Sequence, residues 1–299
     1  MKTSILFIFF LLPLLCYSQK EAETLYDQAY EYSWKYRYAN NDTTKLLDPL
    51  YDSAIILLDR LRSKYPNYRK NDVEEIYQDC YFYSKDYSQS LIYSLKILSR
   101  FKSNDLNSDD YCVACVFACV KAAKSYLNLG AYNKAILYYD SSLTKYKDNL
   151  QFCGLGAMID KAYRDKDLFF AYLGLENPKK ALEIATPYFF DSSMTEFIDS
   201  SYSINYFNTI SLLYSPSKAK LYVTASVDSL DTKLNAFFKS TKANLPKNNW
   251  VELFGGKLDL LEETEYGEVR DFFLEIYTKE YLLNRVKTSV GYRYFDTVK

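Results

Sequence analysis

Residues 122–143, AAKSYLNLGAYNKAILYYDSSL, constrain the fold of this chain more than any other stretch. Apolar residues recur at three- and four-residue steps on both sides of Leu129-Gly130, which is typical of two helices separated by a turn. Small residues at Ala123 and Ala135 allow the two backbones to approach closely, while the neighbouring tyrosines fill the space around the contact. The stretch therefore predicts a helical hairpin that packs as one unit.

Related helix pairs are predicted on both sides of this hairpin. The second helix of each pair can be aligned on one small residue, and these residues are Ala54, Ser90, Ala135 and Ala181. A tyrosine stands three places earlier in the first three second helices, at Tyr51, Tyr87 and Tyr132, and proline takes that place in the fourth, at Pro178. In the last three pairs, another tyrosine lies on the preceding helix, nine places before the aligned small residue. These tyrosines are Tyr81, Tyr126 and Tyr172. The recurrence indicates a repeated structural unit.

This combination of small residues, aromatic residues and a glycine at the turn resembles the tetratricopeptide repeat (TPR). The resemblance extends over residues 20–190 and is strongest in residues 122–143. The intervals exceed the roughly 34 residues of the standard repeat, and the closing proline occurs only at Pro66, so the units are degenerate. The resemblance implies a predominantly α, TPR-like solenoid of helix hairpins.

The resemblance also implies a binding face. TPR-like proteins hold peptides or helices in a concave groove that is lined by the exposed face of each first helix. Transferring that face to this chain selects Glu75, Asp79, Tyr83, Lys124, Asn128, Lys166 and Phe170. Mixed charge with aromatic residues suits a peptide ligand, while the alternative is that these are ordinary solvated positions.

The first eighteen residues are typical of a secretory signal peptide, with a basic start, an apolar run at 5–15 and a small residue at Ser18. The apolar run is too short to span a bilayer, and no later stretch is long enough. We therefore expect an exported, periplasmic or secreted protein that begins at Gln19 and has no transmembrane span. Lipid anchoring through Cys16 is the alternative, although Leu15 stands where that signal needs a small residue.

Composition argues against several functions. The chain has 37 basic and 38 acidic residues, so it lacks the basic character typical of nucleic-acid binding. It contains no histidine, which removes Ser-His and Cys-His catalysis and every imidazole metal site. Gly255-Gly256-Lys257 lacks the spacing of a phosphate-binding loop. We expect no enzyme activity, no cofactor and no nucleic-acid partner.

Five cysteines remain after signal cleavage, an odd number at irregular spacing, and this is not a disulfide framework. Cys112, Cys115 and Cys119 share one helix face and could bind zinc or copper with Cys153 or Cys80. Burial in the core is the preferred interpretation because Cys119 continues the stripe that leads to Ala123. One disulfide could form among the five cysteines, and the sequence does not identify the two that would pair.

The pattern changes after residue 190. A helix at 191–213 is followed by an alternating run at 220–227, a helix at 231–243, a hairpin around Gly255-Gly256, a helix at 266–285 and an alternating run at 290–298. We expect repeats over 19–215 and a small α+β cap or second domain over 216–299, with continued irregular helices as the alternative. The acidic run at 259–268 could form a catalytic or calcium site, but capping and solvation of the next helix are preferred.

These patterns favour an exported scaffold that holds a protein or peptide partner. A cell-envelope carbohydrate-binding protein is the alternative, because 32 tyrosines and 19 phenylalanines provide rings on which sugars can stack. An enzyme housed in the C-terminal region is a third hypothesis, and no motif supports it.

Overall fold

A computed structural model describes residues 19–34, 48–100, 113–144, 154–239, 250–258 and 278–297. The chain divides into two compact units, residues 1–151 and 152–299, which are described separately. The predicted fold class is confirmed in the described residues: the chain is predominantly α, its helices pack in adjacent pairs, and a small two-stranded antiparallel sheet lies near the C-terminus. None of the described helices combines the length and apolar character needed to cross a bilayer.

The first unit is a series of helices in which each helix from α2 onward packs against the next, and α3 also contacts α5. This arrangement places α3 and α5 side by side as the first helices of two successive hairpins. Its described helices are α1 (19–34), α2 (Asp48–Lys64), α3 (Lys70–Tyr83), α4 (Tyr87–Arg100), α5 (Val113–Asn128) and α6 (Tyr132–Thr144).

In the described residues of the second unit, α7–α12 and the strands share a large hydrophobic core, and Ala162, Tyr188 and Phe197 form a smaller cluster. Helix α8 packs against α7, α9 and β2, and α10 packs against β1, α11 and α12. The predicted boundary at 215/216 stays a prediction. The described elements are α7 (Gly154–Gly174), α8 (Pro178–Phe189), a 3-10 helix (Ser192–Phe197), α9 (Ser200–Leu213), α10 (Pro216–Lys239), β1 (Val251–Leu253), β2 (Gly256–Leu258), α11 (Lys279–Lys287) and α12 (Val290–Thr297).

The aligned small residues are all buried. Ala54, Ser90, Ala135 and Ala181 have no exposed surface, as the alignment predicts for positions where two helix backbones meet. A larger side chain at such a position would separate the paired helices, so the small size of these four residues determines how closely each pair packs.

Three hairpins share the same backbone turn, and each turn contains one residue in the left-handed region. The values of φ are 65° at Lys85, 74° at Gly130 and 55° at Glu176. Each of these residues lies five places before an aligned small residue. The repeat predicted from side chains is thus also present in the backbone.

Hydrogen bonds close two of these turns in the same way. In the α5–α6 turn, the N–H of Ala131 donates to the carbonyl of Tyr126 over 2.8 Å, and the N–H of Gly130 donates to that of Leu127 over 3.1 Å. In the α7–α8 turn, the N–H of Asn177 donates to the carbonyl of Tyr172 over 2.9 Å. This is the Schellman arrangement, which satisfies the last carbonyls of a helix when the following residue is left-handed.

Two predicted strands are wrong. Residues 220–227 lie inside α10, and residues 290–297 form α12. Within 220–227 the alternation resembles a strand, but the buried residues of the whole helix recur at helical spacing. Those residues are Ala219, Val223, Ser226, Val227, Leu230, Leu234 and Phe237. The predicted helix at 191–213 is also divided, into the 3-10 helix and α9.

The predicted β-hairpin is confirmed, but its two glycines have different roles. The turn residues are Phe254 and Gly255, with φ of 50° and 83°, and Gly256 is the first residue of β2. Gly256 lies against α8. A Cβ at this position would be 2.7 Å from the Glu183 carbonyl oxygen and 2.7 Å from the Thr186 Cβ.

We therefore expect Gly256→Ala to lower the free energy of unfolding by about 2 kcal/mol, because β2 would have to move away from α8. Urea denaturation measures this change. Gly255→Asn is the matched control and should have a smaller effect, since asparagine tolerates positive φ and the nearest atoms there are 3.9 Å away. An unchanged stability in Gly256→Ala would contradict the close packing of β2 on α8.

An ion-pair cluster connects α1 to α2. Lys64 Nζ and Tyr65 Oη each donate to the Glu21 carboxylate over 2.7 Å, and Arg60 Nη2 donates over 3.1 Å. The bond from Lys64, with those from Tyr65 and Arg60, lowers the pKa of Glu21 from 4.5 to about 2.

Because the pKa of Glu21 is lower in the folded state, this cluster stabilises the fold above pH 4.5 and loses its effect as the pH falls towards 2. We expect Glu21→Gln to lower the melting temperature at pH 7, with a difference from the wild type that shrinks between pH 4.5 and 2. Thermal denaturation across this range measures it. A difference that stays constant down to pH 2 would be inconsistent with the assigned pKa.

Candidate functional site

The predicted binding faces of α3 and α5 meet at an ion pair. Asp79 on α3 is only 4% exposed and pairs with Lys121 on α5. Tyr83 lies one helical turn after Asp79, and Lys124 lies one turn after Lys121. The contact therefore brings the two predicted faces side by side, with a buried ion pair between them.

A network of polar side chains extends from this ion pair into α4. Gln78 Nε2 donates to Ser94 Oγ over 2.6 Å, and Ser90 Oγ donates to the Gln78 carbonyl over 3.3 Å. Lys121 Nζ lies 3.5 Å from Gln78 Oε1. Gln78, Ser90 and Ser94 are all buried. Because buried polar groups need their partners, this network favours one register among the three helices.

The other predicted positions on α3 and α5 differ in exposure. Tyr83 is 40% exposed, and its ring stacks on that of Tyr51 with centroids 5.8 Å apart. Asn128 is exposed and donates from Nδ2 to the Lys124 carbonyl over 2.8 Å. Glu75 and Lys124 are half-buried. An aromatic ring and an amide group are therefore accessible to a ligand on this face.

The predicted positions on α7 make contacts within the second unit. Lys166 forms an ion pair with Asp199 and lies over the Tyr202 ring, 5.8 Å from its centroid. Asp199 also accepts a hydrogen bond from the Tyr202 N–H over 2.8 Å. The bond from Lys166 and this N–H lower the pKa of Asp199. The half-buried ring of Phe170 packs against the core, with its centroid 5.9 Å from that of Tyr202. Ligand binding by Lys166 and Phe170 stays a prediction.

Many tyrosines are structural. Burial raises the pKa of Tyr77, whose hydroxyl donates to Asp59 Oδ1 over 2.5 Å, and burial also raises the pKa of Tyr206. A row of aromatic rings lies on α1. The rings of Tyr26, Tyr30 and Trp34 stack in sequence, with centroids 6.1 and 5.7 Å apart, and the last two residues are exposed.

The described cysteines lie in the core. Cys115 and Cys119 pack with Ile97 and Leu98, Cys115 is disulfide-bonded, and Cys80 is a buried thiol. Cys112, Cys153 and the acidic run at 259–268 lie outside the described residues, as does the signal segment at 1–18. No group of three or more potential metal ligands occurs among the residues described.

The second unit contains an open groove that the sequence patterns did not indicate. It lies between α9 and α12 and has a volume of about 680 Å³. Because the alternation at residues 290–298 predicts a strand, this α9–α12 groove could not be foreseen from the sequence. Its lining residues are Ser203, Ile204, Phe207, Asn208, Val290, Arg293 and Tyr294.

Comparison of the chain with protein-family models, with curated protein sequences and with solved structures found no match.

The Asp79–Lys121 ion pair provides a test of the α3–α5 arrangement. Removing one partner leaves a buried charge without its counterion, so Asp79→Leu and Lys121→Met should each lower the free energy of unfolding by about 3–5 kcal/mol. In the double variant, the free energy of unfolding should fall by less than the sum of the decreases in the two single variants. Urea denaturation of the four proteins measures this coupling. Strict additivity would mean that the two side chains do not interact.

Proposed function

We propose that this protein is an exported, TPR-like helical-repeat scaffold that holds a protein or peptide partner on the face formed by α3 and α5. The main support is the contact between Asp79 and Lys121, which sets the two predicted faces next to each other. The repeated hairpin turns support the TPR-like assignment, and the signal-like residues 1–18 support export.

The chemistry of this face suits an extended or helical peptide. Tyr83 offers a partly exposed ring, Asn128 offers an amide, and Glu75 and Lys124 add charges of both signs. Tyrosine provides a large contact area with little loss of conformational freedom, which makes it effective at interfaces. Opposite charges on neighbouring helices favour a partner whose own charges alternate.

Quantitative pull-down from the native envelope fraction tests the proposal, with the mature chain as bait. The triple variant Tyr83→Ala, Lys124→Glu, Asn128→Ala should lose at least about 90% of a specifically bound partner, since it removes a central aromatic contact and reverses a charge. Mass spectrometry identifies the partner and measures its recovery.

Leu137→Ser is the control for this experiment, because Leu137 is exposed on the second helix of its hairpin, away from the proposed face. Circular dichroism should show that the triple variant and the control keep the helical content of the wild type. Full recovery of every partner by the triple variant would rule out the α3–α5 face as the binding site.

A carbohydrate-binding function is the second candidate, and the aromatic row of Tyr26, Tyr30 and Trp34 favours it. The C–H bonds on one face of a sugar ring can pack against an aromatic ring through dispersion. The exposed rings of Tyr30 and Trp34, one turn apart on α1, would meet neighbouring sugar units of a chain.

Tryptophan fluorescence tests this candidate. In a Trp250→Phe background, Trp34 is the single remaining tryptophan, and a binding oligosaccharide should shift its emission in a saturable manner. Tyr30→Ala should weaken that binding. If the protein bound no sugar on a glycan array and the Trp34 emission stayed unchanged, the carbohydrate-binding function would be excluded.

A further inference from the structure

Helix α9 carries apolar residues on two opposite faces. Tyr202, Tyr206 and Ile210 are buried in the core of the second unit. On the other face, Ile204 is 60% exposed and Leu212 is 78% exposed. A surface helix of a globular protein normally has a polar outer face, whereas a helix that is apolar all round is normally covered. The outer face of α9 departs from this rule at Ile204 and Leu212, while Ser201, Asn208 and Ser211 on the same face are polar.

The α9–α12 groove lies on this face and has an aromatic floor. The rings of Phe207 and Tyr294 are nearly parallel, with centroids 3.8 Å apart and an interplanar angle of 17°. Tyr294 remains 41% exposed, so a large part of its ring is open to a ligand although Phe207 covers one side. The groove, with its volume of about 680 Å³, has room for a few side chains of a bound segment.

The polar groups of the groove define the charge of the partner. Arg293 is the one charged side chain among the described residues that line it. Among the described residues, the guanidinium of Arg293 makes a single weak hydrogen bond, from Nε to the Ser289 carbonyl over 3.4 Å. Its remaining N–H donors suit a carboxylate, which guanidinium groups bind with paired hydrogen bonds. The groove thus combines apolar side chains with the polar Ser203 and Asn208 and with one positive charge at its wall.

We propose that the α9–α12 groove docks a short amphipathic peptide segment of another protein. Two apolar side chains of the segment pack against Ile204 and the Tyr294 ring, and an acidic side chain pairs with Arg293. Ile204 and Val290 beside the Tyr294 ring suit the apolar side chains of a peptide, while Ser203 and Asn208 can hydrogen-bond its backbone. The groove belongs to the second unit and the α3–α5 face to the first, and neither proposal rests on the other.

Peptide display on the full chain tests this inference. A library of random twelve-residue peptides is selected against the wild type after depletion on the variant Arg293→Glu. The enriched peptides should carry two apolar residues and at least one acidic residue. Fluorescence anisotropy should then show about tenfold weaker binding to Arg293→Glu and to Ile204→Ser. A peptide with lysine in place of its acidic residue should bind Arg293→Glu better than the original peptide does.

Two controls separate this result from other causes. Arg293 and Ile204 are exposed, so both variants should keep the circular dichroism spectrum of the wild type. Tyr83→Ala, on the α3–α5 face, should bind the selected peptides as the wild type does. Failure to enrich any peptide, enriched peptides without acidic residues, or equal binding to Arg293→Glu would each overturn the proposal.

Discussion

The close approach of paired helices at one small residue is the contact on which this structure depends. Ala54, Ser90, Ala135 and Ala181 are completely buried, and each lies where a second helix meets its partners. Because protein interiors are packed as densely as organic crystals, an added methylene group at such a contact must displace a helix. Tyrosines fill the space around these contacts, which explains why so aromatic a chain has many of its rings inside.

The backbone turn and the buried polar network fix how each hairpin is closed and how the helices of the first unit are aligned. A left-handed residue allows the chain to reverse within a few residues, even where that residue is Lys85 or Glu176 rather than glycine. The Asp79–Lys121 pair with Gln78 then connects α3, α4 and α5. A different register would leave these groups without partners, so polar contacts provide specificity while apolar burial provides most of the stability.

The helix pairs could be predicted from the sequence because their apolar spacing is local and extends over several turns. The strands predicted at 220–227 and 290–298 failed because period-two alternation over eight or nine residues also occurs within a helix, where burial is decided by residues outside that window. Asp79 illustrates the limit for sites. The resemblance predicts an exposed groove position, but the residue is buried beside Lys121, 42 positions further along the chain. The α9–α12 groove requires two helices that are distant in sequence, and no local pattern can reveal such a site.

The most direct test of the account is the free energy of unfolding of four single variants, Ala54→Leu, Ser90→Leu, Ala135→Leu and Ala181→Leu, measured by urea denaturation. Leucine favours helix formation almost as well as alanine, so packing dominates the effect at Ala54, Ala135 and Ala181, while Ser90→Leu also removes the hydrogen bond to the Gln78 carbonyl. We expect a loss of about 1–3 kcal/mol or more at all four positions, and almost no loss for leucine at the exposed helical positions Ser88 and Ala225. Losses no larger than those at Ser88 and Ala225 would contradict the proposed helix contacts.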